Sequence, residues 1–235
     1  MMLKRKKQKN KLIIDLDPFL TLKYKDFFYF DERELIHAAN QCLQSGAEGI
    51  MLHISKNDLS NRRLLKLYQE FIQLRPGKVF LLAEVDPLVM KKVRKLKPDV
   101  AVFYRKNKKN DFYFPLNKVQ QNEVSLFEKI QSVGTQLCFF IQADADQVAE
   151  AYYYGADAVL IDCSKRNLLS EKIKLKQSLR EIESWQVAKA LDLQVYMGRG
   201  LTIENTREMN ADGFILGHHI LQKSILTGLK SALKV

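Results

Sequence analysis

The sequence predicts an α/β protein, a single-domain (β/α)8 TIM barrel. Eight short apolar segments alternate with eight helical patterns at intervals of about 20 to 40 residues, as parallel strands joined by helices require. The last two apolar segments are each followed by glycine and then by helix-forming residues, which suits phosphate binding after the seventh and eighth barrel strands. A doubly wound open sheet is the alternative, but no glycine-rich loop follows the first strand. The barrel is therefore the predicted fold.

Each predicted strand is a short apolar run that ends at a polar residue or a turn signal. The first run, KLIIDL, has Asp15 and Asp17 at its end, and Pro18 stops its pairing. The second run, IMLHI, ends near His53. Together, the eight strands are predicted at residues 11–16, 50–54, 79–85, 100–104, 135–142, 158–162, 195–197 and 213–216.

The segments between these strands show apolar residues at helical spacing and recognisable ends. In the first of them, Leu35, Ala39 and Leu43 share one face, and Gly46 is the expected stop. Pro87 begins another helix after the third strand. The basic, polar residues 105–110 and the aromatic DFYF that follows are predicted to form a loop. Further helices are predicted at residues 60–74, 87–97, 123–132, 146–154 and about 170–191.

Length and composition fit one domain. The 235 residues, 46% of them hydrophobic, can fill one barrel core, so we predict a basic tail at residues 1–10 and a barrel domain at 11–235. The apolar runs are far shorter than the ~20 residues that a bilayer requires, and no apolar secretory signal opens the sequence, so the expected location is cytoplasmic. Three widely spaced cysteines indicate neither a disulfide framework nor a zinc site, and no metal is predicted.

The net charge of +11 includes the basic run KRKKQKNK near the N-terminus. This run could bind nucleic acid, but no aromatic residues are interleaved with it, which favours a solvated tail. A positive field also attracts phosphorylated small molecules. We therefore predict phosphorylated substrates as partners, and neither nucleic acid nor a membrane.

Polar residues collect at the predicted carboxyl ends of the strands, where loops form the mouth of a barrel. Carboxylates, histidines and a phosphate site in one mouth suit proton-transfer chemistry on a phosphorylated carbonyl compound. The strand-end residues are Asp15, Asp17, His53, Glu84, Asp86, Tyr104, Arg105, Gln142, Asp144, Asp162, Arg199, His218 and His219.

Sequence context favours a functional role for some of these residues more strongly than for others. His53 interrupts an apolar strand at its carboxyl end, which favours a proton-transfer role. Arg199 lies between two glycines and suits a charge clamp for an anion. Asp17 could equally cap a turn, whereas His37 and His219 are expected to be structural.

With these residues in place, the chain resembles the pyridoxine 5'-phosphate synthase family over nearly its whole length. The order and spacing of six segments carry the resemblance. They are DPFLTLK at 17–23, AEGIMLHIS at 47–55, FIQADADQV at 140–148, GADAVLID at 155–162, MGRGLTIENT at 197–206 and ILGHHILQKSILTGLKSAL at 215–233.

The resemblance implies a transferase of vitamin B6 (pyridoxal phosphate) biosynthesis that needs no metal or organic cofactor and forms a symmetric homo-oligomer. It would condense 1-deoxy-D-xylulose 5-phosphate with 3-amino-2-oxopropyl phosphate to pyridoxine 5'-phosphate, phosphate and water. On this basis His53 and Glu84 are the predicted catalytic residues. The predicted substrate- and phosphate-binding residues are Asp15, Asp17, Lys23, Arg199, Gly200, Gly217 and His218.

Several positions depart from the family pattern. Arg199 replaces a histidine flanked by glycines, and an arginine cannot exchange a proton near neutral pH. Leu82 aligns with a family glutamate; Glu84, two residues on, points to the same side of the strand and could substitute for it. The alternative hypothesis is therefore a divergent paralogue that binds a phosphorylated metabolite with altered or no activity. The other departures are Lys23 for arginine, Pro18 for histidine, Ser55 for arginine and Asp162 for histidine.

Overall fold

Eight parallel strands close into a barrel in the computed structural model, which describes residues 11–21, 32–74, 77–106, 112–167 and 171–233. The ring closes because the first barrel strand pairs with the last and the third pairs with the fourth, all in parallel. The predicted single (β/α)8 barrel is confirmed. The barrel strands are β1 (Leu12–Asp15), β2 (Gly49–Ile54), β3 (Lys78–Glu84), β4 (Val100–Lys106), β6 (Gln136–Gln142), β7 (Ala158–Asp162), β8 (Gln194–Gly198) and β9 (Gly213–Leu216).

Helices cover the outside of the barrel and follow the predicted segments closely. An unpredicted short helix, α1, begins at Asp17 directly after β1. None of the helices within the described residues combines the length and apolar character needed to cross a membrane. The helices are α1 (Asp17–Thr21), α2 (Glu32–Gln44), α3 (Arg62–Leu74), α4 (Pro87–Leu96), α5 (Gln121–Gln131), α6 (Ala145–Tyr153), α7 (Glu171–Ala190), α8 (Ile203–Thr206), α9 (His218–Thr227) and α10 (Leu229–Ala232).

Three aspartates at the amino-terminal end of the barrel hold neighbouring strands together. Asp99, Asp157 and Asp212 each precede a strand, and each carboxylate accepts the backbone N–H of a residue in the adjacent strand. The three N···O distances are 2.8, 2.7 and 2.7 Å. Hydrogen bonds to ionised acceptors are stronger than neutral ones, so these contacts help to fix the strand register. The fixed register in turn brings the opposite, carboxyl ends of the strands to one level.

The interior of the barrel is filled by side chains contributed by every strand. Phe80 and Tyr196, for example, are buried and meet edge to face with ring centroids 5.0 Å apart. A second and larger apolar layer lies between the strands and the surrounding helices. Because the interior is packed, a ligand must bind above it, at the mouth. The interior side chains are Ile13, Met51, Phe80, Val100, Val102, Tyr104, Cys138, Phe140, Ala158, Leu160, Tyr196 and Ile215.

The segment predicted as a loop after the fourth strand contains a small antiparallel ribbon instead, so that prediction was wrong in part. Strand β4 continues to Lys106, and β5 (Phe112–Tyr113) pairs with it. Phe114 explains the ribbon, because its buried ring stacks on Phe139 with centroids 5.1 Å apart. The guanidinium of Arg105 lies 5.0 Å from the same ring. Burial of Phe114 thus holds β5 against the barrel.

Candidate functional site

A cavity of about 510 Å³ opens among the carboxyl ends of the barrel strands. Its lining includes apolar side chains from the packed interior, among them Met51, Phe140 and Ile215. The cavity also brings together seven of the nine residues predicted for the site. The predicted site residues that line it are Asp15, Asp17, His53, Arg199, Gly200, Gly217 and His218.

His53 is held in the cavity by contacts on both ring nitrogens. Its Nε2 lies 2.5 Å from the hydroxyl oxygen of Tyr104, and its Nδ1 lies 3.8 Å from Oδ1 of Asp17. The Tyr68 hydroxyl donates to the backbone carbonyl of His53 at 2.6 Å, which fixes the strand beneath the ring. An imidazole with a hydroxyl on one side and a carboxylate on the other suits general acid–base catalysis.

Tyr104 was noted in the sequence only as a polar strand end, and its role emerges from the structure. Burial, and then the nearby charges of Glu84, Asp58 and Asp17, raise the pKa of the Tyr104 phenol well above its ordinary value. The phenol therefore keeps its proton and can donate it in a hydrogen bond to His53 Nε2. The other ring nitrogen of a neutral His53 then carries its hydrogen on the side of Asp17.

Glu84, the second predicted catalytic residue, is not among the residues that line the cavity. Register pairs His53 with Leu82, so Glu84 lies two residues further along β3, nearer the rim. There its Oε2 accepts the backbone N–H of Lys56 at 3.0 Å. This contact holds the turn that follows β2, and Leu82 takes the lining position. A catalytic role for Glu84 stays a prediction. Lys23 lies outside the described residues.

Asp15 is a partly buried carboxyl group at the end of β1. Burial is the largest influence on it, and together with the charge of Asp17 it raises the pKa of Asp15 from 3.8 to about 7. The backbone N–H of Asp17, which donates to Asp15 Oδ1 at 3.0 Å, and the charge of Arg199 act in the opposite direction. Near neutral pH, this carboxyl group is therefore divided between its protonated and ionised forms.

The raised pKa of Asp15 predicts a pH-dependent gain in stability for Asp15→Asn. A folded-state pKa above the unfolded value means that the folded protein binds the proton more tightly, so the wild type loses stability as pH rises from about 4 to 7. The neutral amide avoids this loss and still accepts the Asp17 N–H. Thermal unfolding should show a higher midpoint for Asp15→Asn than for wild type at about pH 8, shrinking to no difference near pH 4.

A matched control for this measurement is Asp146→Asn, which removes an exposed carboxylate in the first turn of α6. Its unfolding midpoint should show no gain over wild type at high pH. An Asp15→Asn protein less stable than wild type at about pH 8 contradicts the burial argument.

The first predicted phosphate site lies in the turn after β8. Arg199 and Gly200 both have left-handed backbone conformations, with φ of 61° and 66°. Such a conformation costs an arginine on the order of 1 kcal/mol or more, and backbone strain of this kind is common at functional sites. A Cβ on Gly200 would lie 3.0 Å from the Cα of Ser164, so only glycine fits closely there.

The Arg199 side chain is directed by two neighbours on adjacent strands. Its Nη1 lies 3.6 Å from Oδ2 of Asp162, and its guanidinium carbon lies 5.8 Å from the ring centroid of Phe140. Asp162 is itself oriented, because its Oδ1 accepts the backbone N–H of Ser164 at 2.9 Å. Asp162 and Arg199, both expected from the family resemblance to stand in place of histidines, form an ion pair. The carboxylate of Asp162 thus holds the guanidinium at the cavity wall.

The second predicted phosphate site is the start of α9, where Gly217 precedes the first helical residue. The first N–H groups of a helix have no partner within it and can donate to an anion. A Cβ on Gly217 would lie 3.0 Å from the Cβ of Asp15, so the backbone approaches β1 closely. His218 begins α9, and His219, expected to be structural, also lines the cavity and lies 3.7 Å from Glu204.

No group of three or more histidine, cysteine, aspartate or glutamate side chains is placed to hold a metal ion within the part of the chain that the structure describes. The site instead offers proton-transfer groups on one side and backbone N–H donors with an arginine on the other. These groups together can bind phosphorylated compounds and transfer protons to and from them.

Comparison with known proteins identifies the family. A family model described as pyridoxal phosphate biosynthesis protein PdxJ matches residues 29–235. The pyridoxine 5'-phosphate synthase of Citrifermentans bemidjiense is 27% identical over 199 residues, which cover 81% of this chain and 82% of that protein. The same-named protein of Bdellovibrio bacteriovorus is 23% identical, with 97% of each chain covered, and thereby extends the match toward β1.

Solved structures support the same architecture. A protein described as "Structural study of Project ID from Aquifex aeolicus VF5" superposes with a TM-score of 0.63 at 14% identity, covering 98% of this chain and 95% of that one. A structure described as "Native KDPGal structure" superposes with a TM-score of 0.60 at 12% identity, covering 99% and 94%. At such identities the likeness concerns the fold alone. The family match, in contrast, covers most of the sequence and confirms the resemblance: this chain belongs to the pyridoxal phosphate biosynthesis protein PdxJ family.

Proposed function

We propose that this protein is a pyridoxine 5'-phosphate synthase of vitamin B6 biosynthesis. It condenses 1-deoxy-D-xylulose 5-phosphate with 3-amino-2-oxopropyl phosphate to give pyridoxine 5'-phosphate, phosphate and water. The observation that carries the proposal is the position of His53, held between Asp17 and Tyr104 in a cavity that also contains both glycine turns. Family membership favours this reading over a binding protein without turnover.

Two phosphorylated substrates require two anion-binding regions, and the cavity offers two. The turn at Arg199 and Gly200 supplies a guanidinium, and the start of α9 at Gly217 supplies backbone N–H groups. Both lie beside the lining that carries His53. We assign binding of the phosphate groups to these turns, and proton transfer to His53.

Arg199 stands where the family pattern has a histidine. This replacement changes the chemistry available at this wall of the cavity. A guanidinium stays charged, so it cannot donate and recover a proton, but it neutralises an anion over the whole physiological pH range. Acid catalysis must therefore come from other groups in the cavity. The protonated carboxyl form of Asp15 and the imidazole of His53 are available for it.

An assay of the purified protein with both phosphorylated substrates, with pyridoxine 5'-phosphate detected by mass, tests the proposal directly. We expect product from the wild type. Arg199→His is measured beside it, because this change restores the residue of the family pattern. Product from Arg199→His alone would show that the wild type has left the family reaction, and product from neither protein would sink the proposal.

We further propose that the protein works in the cytoplasm as a homo-oligomer. Phosphorylated substrates are charged and do not cross membranes unaided, which favours the compartment in which they are made. Exposed apolar side chains on the neighbouring helices α6 and α7, including Tyr153 and Leu179, support a self-association surface. Light scattering of the purified protein after size-exclusion chromatography measures the assembly, and a monomer would contradict it.

A further inference from the structure

Asp15 occupies a position that joins the proton-transfer side of the cavity to its anion-binding side. It ends β1, lines the cavity and is in close contact with the backbone at Gly217, where α9 begins. Its Oδ1 accepts the N–H of Asp17, whose own carboxylate lies 3.8 Å from His53. Within the described residues, Oδ2 of Asp15 receives no hydrogen bond. A ligand bound beside Gly217 therefore lies next to this carboxyl group.

We propose that Asp15 is a proton donor to the substrate, and that it takes up its proton as the phosphate group binds at Gly217. This assignment rests on the proposed function for its phosphate site and deepens it by naming the acid. The sequence suggested only that Asp15 binds substrate, and no histidine at position 199 is present to supply the proton.

The charges around Asp15 explain why anion binding drives protonation. The titratable and charged groups that share its cavity are Asp17, His53, Arg199, His218 and His219. The negative charge of Asp17 already disfavours ionisation of Asp15, and the positive charge of Arg199 opposes that effect. A phosphate group at Gly217 adds negative charge beside Asp15, and a second phosphate group at the turn of Arg199 and Gly200 engages the positive charge of Arg199. Both changes favour the protonated carboxyl.

The protonated carboxyl supports one balanced step in the addition of a nucleophile to a carbonyl carbon. The nucleophile donates an electron pair to the carbon and forms a new bond to it, and its own proton passes to His53. The π electron pair of the carbonyl moves to the oxygen, which takes the proton of Asp15. Asp15 is left as a carboxylate and His53 as an imidazolium, so that one proton is given and one received.

Two measurements on the intact chain test the titration without turnover. Carboxyl ¹³C NMR of protein labelled at aspartate should show one carboxyl group with a midpoint near 7, absent from Asp15→Asn. Calorimetry of sulfate binding in buffers of different ionisation enthalpy should show uptake of roughly half a proton at a pH equal to the Asp15 pKa. Sulfate stays fully ionised in this range, so the proton is bound by the protein.

The Asp15→Asn protein separates this uptake from any contribution of the histidines. Its amide accepts the Asp17 N–H but cannot titrate, so proton uptake on sulfate binding should fall by the amount that Asp15 contributes. The Asp146→Asn protein should take up as many protons as wild type. Equal uptake in wild type and Asp15→Asn, or no carboxyl midpoint near 7, overturns the proposal. If sulfate binds too weakly for calorimetry, the NMR titration is repeated at high sulfate concentration: an upward shift of the Asp15 midpoint supports proton uptake, and an unchanged midpoint overturns it.

Measurements of catalytic activity distinguish the failure of this proposal from the failure of the proposed function. For an active synthase, kcat/KM of the wild type should fall above about pH 7 as Asp15 loses its proton, and Asp15→Asn should lack this limb and be about 10²- to 10⁴-fold slower. An active synthase in which Asp15→Asn keeps the wild-type rate and profile refutes the role of Asp15. A protein that takes up the proton as expected but forms no pyridoxine 5'-phosphate instead refutes the assigned reaction.

Discussion

Replacing His53 by asparagine is expected to lower kcat for pyridoxine 5'-phosphate formation by about 10²- to 10⁴-fold. The asparagine side chain keeps polar atoms near Tyr104 and Asp17 but cannot accept and return a proton at neutral pH. Binding of the phosphate groups depends on other residues, so KM should change much less than kcat. Steady-state rates with each substrate varied in turn measure both parameters.

His37→Asn is the matched control for this substitution. His37 is an exposed histidine of α2 whose ring contacts Gln41 at 2.8 Å and lies outside the cavity lining. The His37→Asn substitution should leave both kcat and KM unchanged. A His53→Asn protein with the wild-type kcat would show that proton transfer runs through another group.

Tyr104→Phe examines the orientation of His53 rather than its chemistry. The phenylalanine keeps the ring but removes the hydroxyl that lies 2.5 Å from His53 Nε2. Loss of one hydrogen bond of about 1 kcal/mol corresponds to roughly a fivefold lower kcat, with KM nearly unchanged. A larger fall in kcat than that caused by His53→Asn contradicts a purely positioning role for Tyr104.

The barrel could be predicted because its signals are local. Each strand is a short apolar run, and each helix has its own spacing and ends, as in the aspartate cap at Asp86 followed by Pro87. In a barrel, the carboxyl ends of all eight parallel strands also lie at the same face of the fold. Of the thirteen strand-end residues named from the sequence, six line one cavity: Asp15, Asp17, His53, Arg199, His218 and His219.

The partners of those residues could not be predicted, because they depend on strand register. Tyr104 and His53 are separated by 51 residues in sequence, and only the pairing of β2, β3 and β4 brings them together. The same register places Leu82 beside His53, whereas Glu84, two residues further along β3, lies outside the lining. The raised pKa of Asp15 likewise results from burial, which no local pattern encodes. Tertiary packing decided each of these outcomes.

Gly217→Ala is expected to weaken binding of the phosphorylated substrates by about 10- to 100-fold, the equivalent of one charge-assisted hydrogen bond of roughly 1.5 to 3 kcal/mol. Gly217 has φ of −133°, so the need for glycine comes from space and not from a left-handed backbone. The added Cβ would lie 3.0 Å from Pro18 Cγ and 3.0 Å from Asp15 Cβ. Neither a proline ring nor a strand residue yields easily, so the start of α9 must move outward.

Movement of α9 displaces the N–H groups that donate to the phosphate, and affinity falls because those donors are directional. Gly134→Ala is the matched control: Gly134 has φ of 86°, open space around its Cα and a position outside the cavity lining. The Gly134→Ala protein should be less stable than wild type, because alanine is strained at that φ, but its affinity for the phosphorylated substrates should be unchanged. Calorimetric titration with 1-deoxy-D-xylulose 5-phosphate compares the three proteins. Unchanged affinity in a folded Gly217→Ala protein would place the phosphate elsewhere, leaving the turn at Gly200 as the stronger candidate.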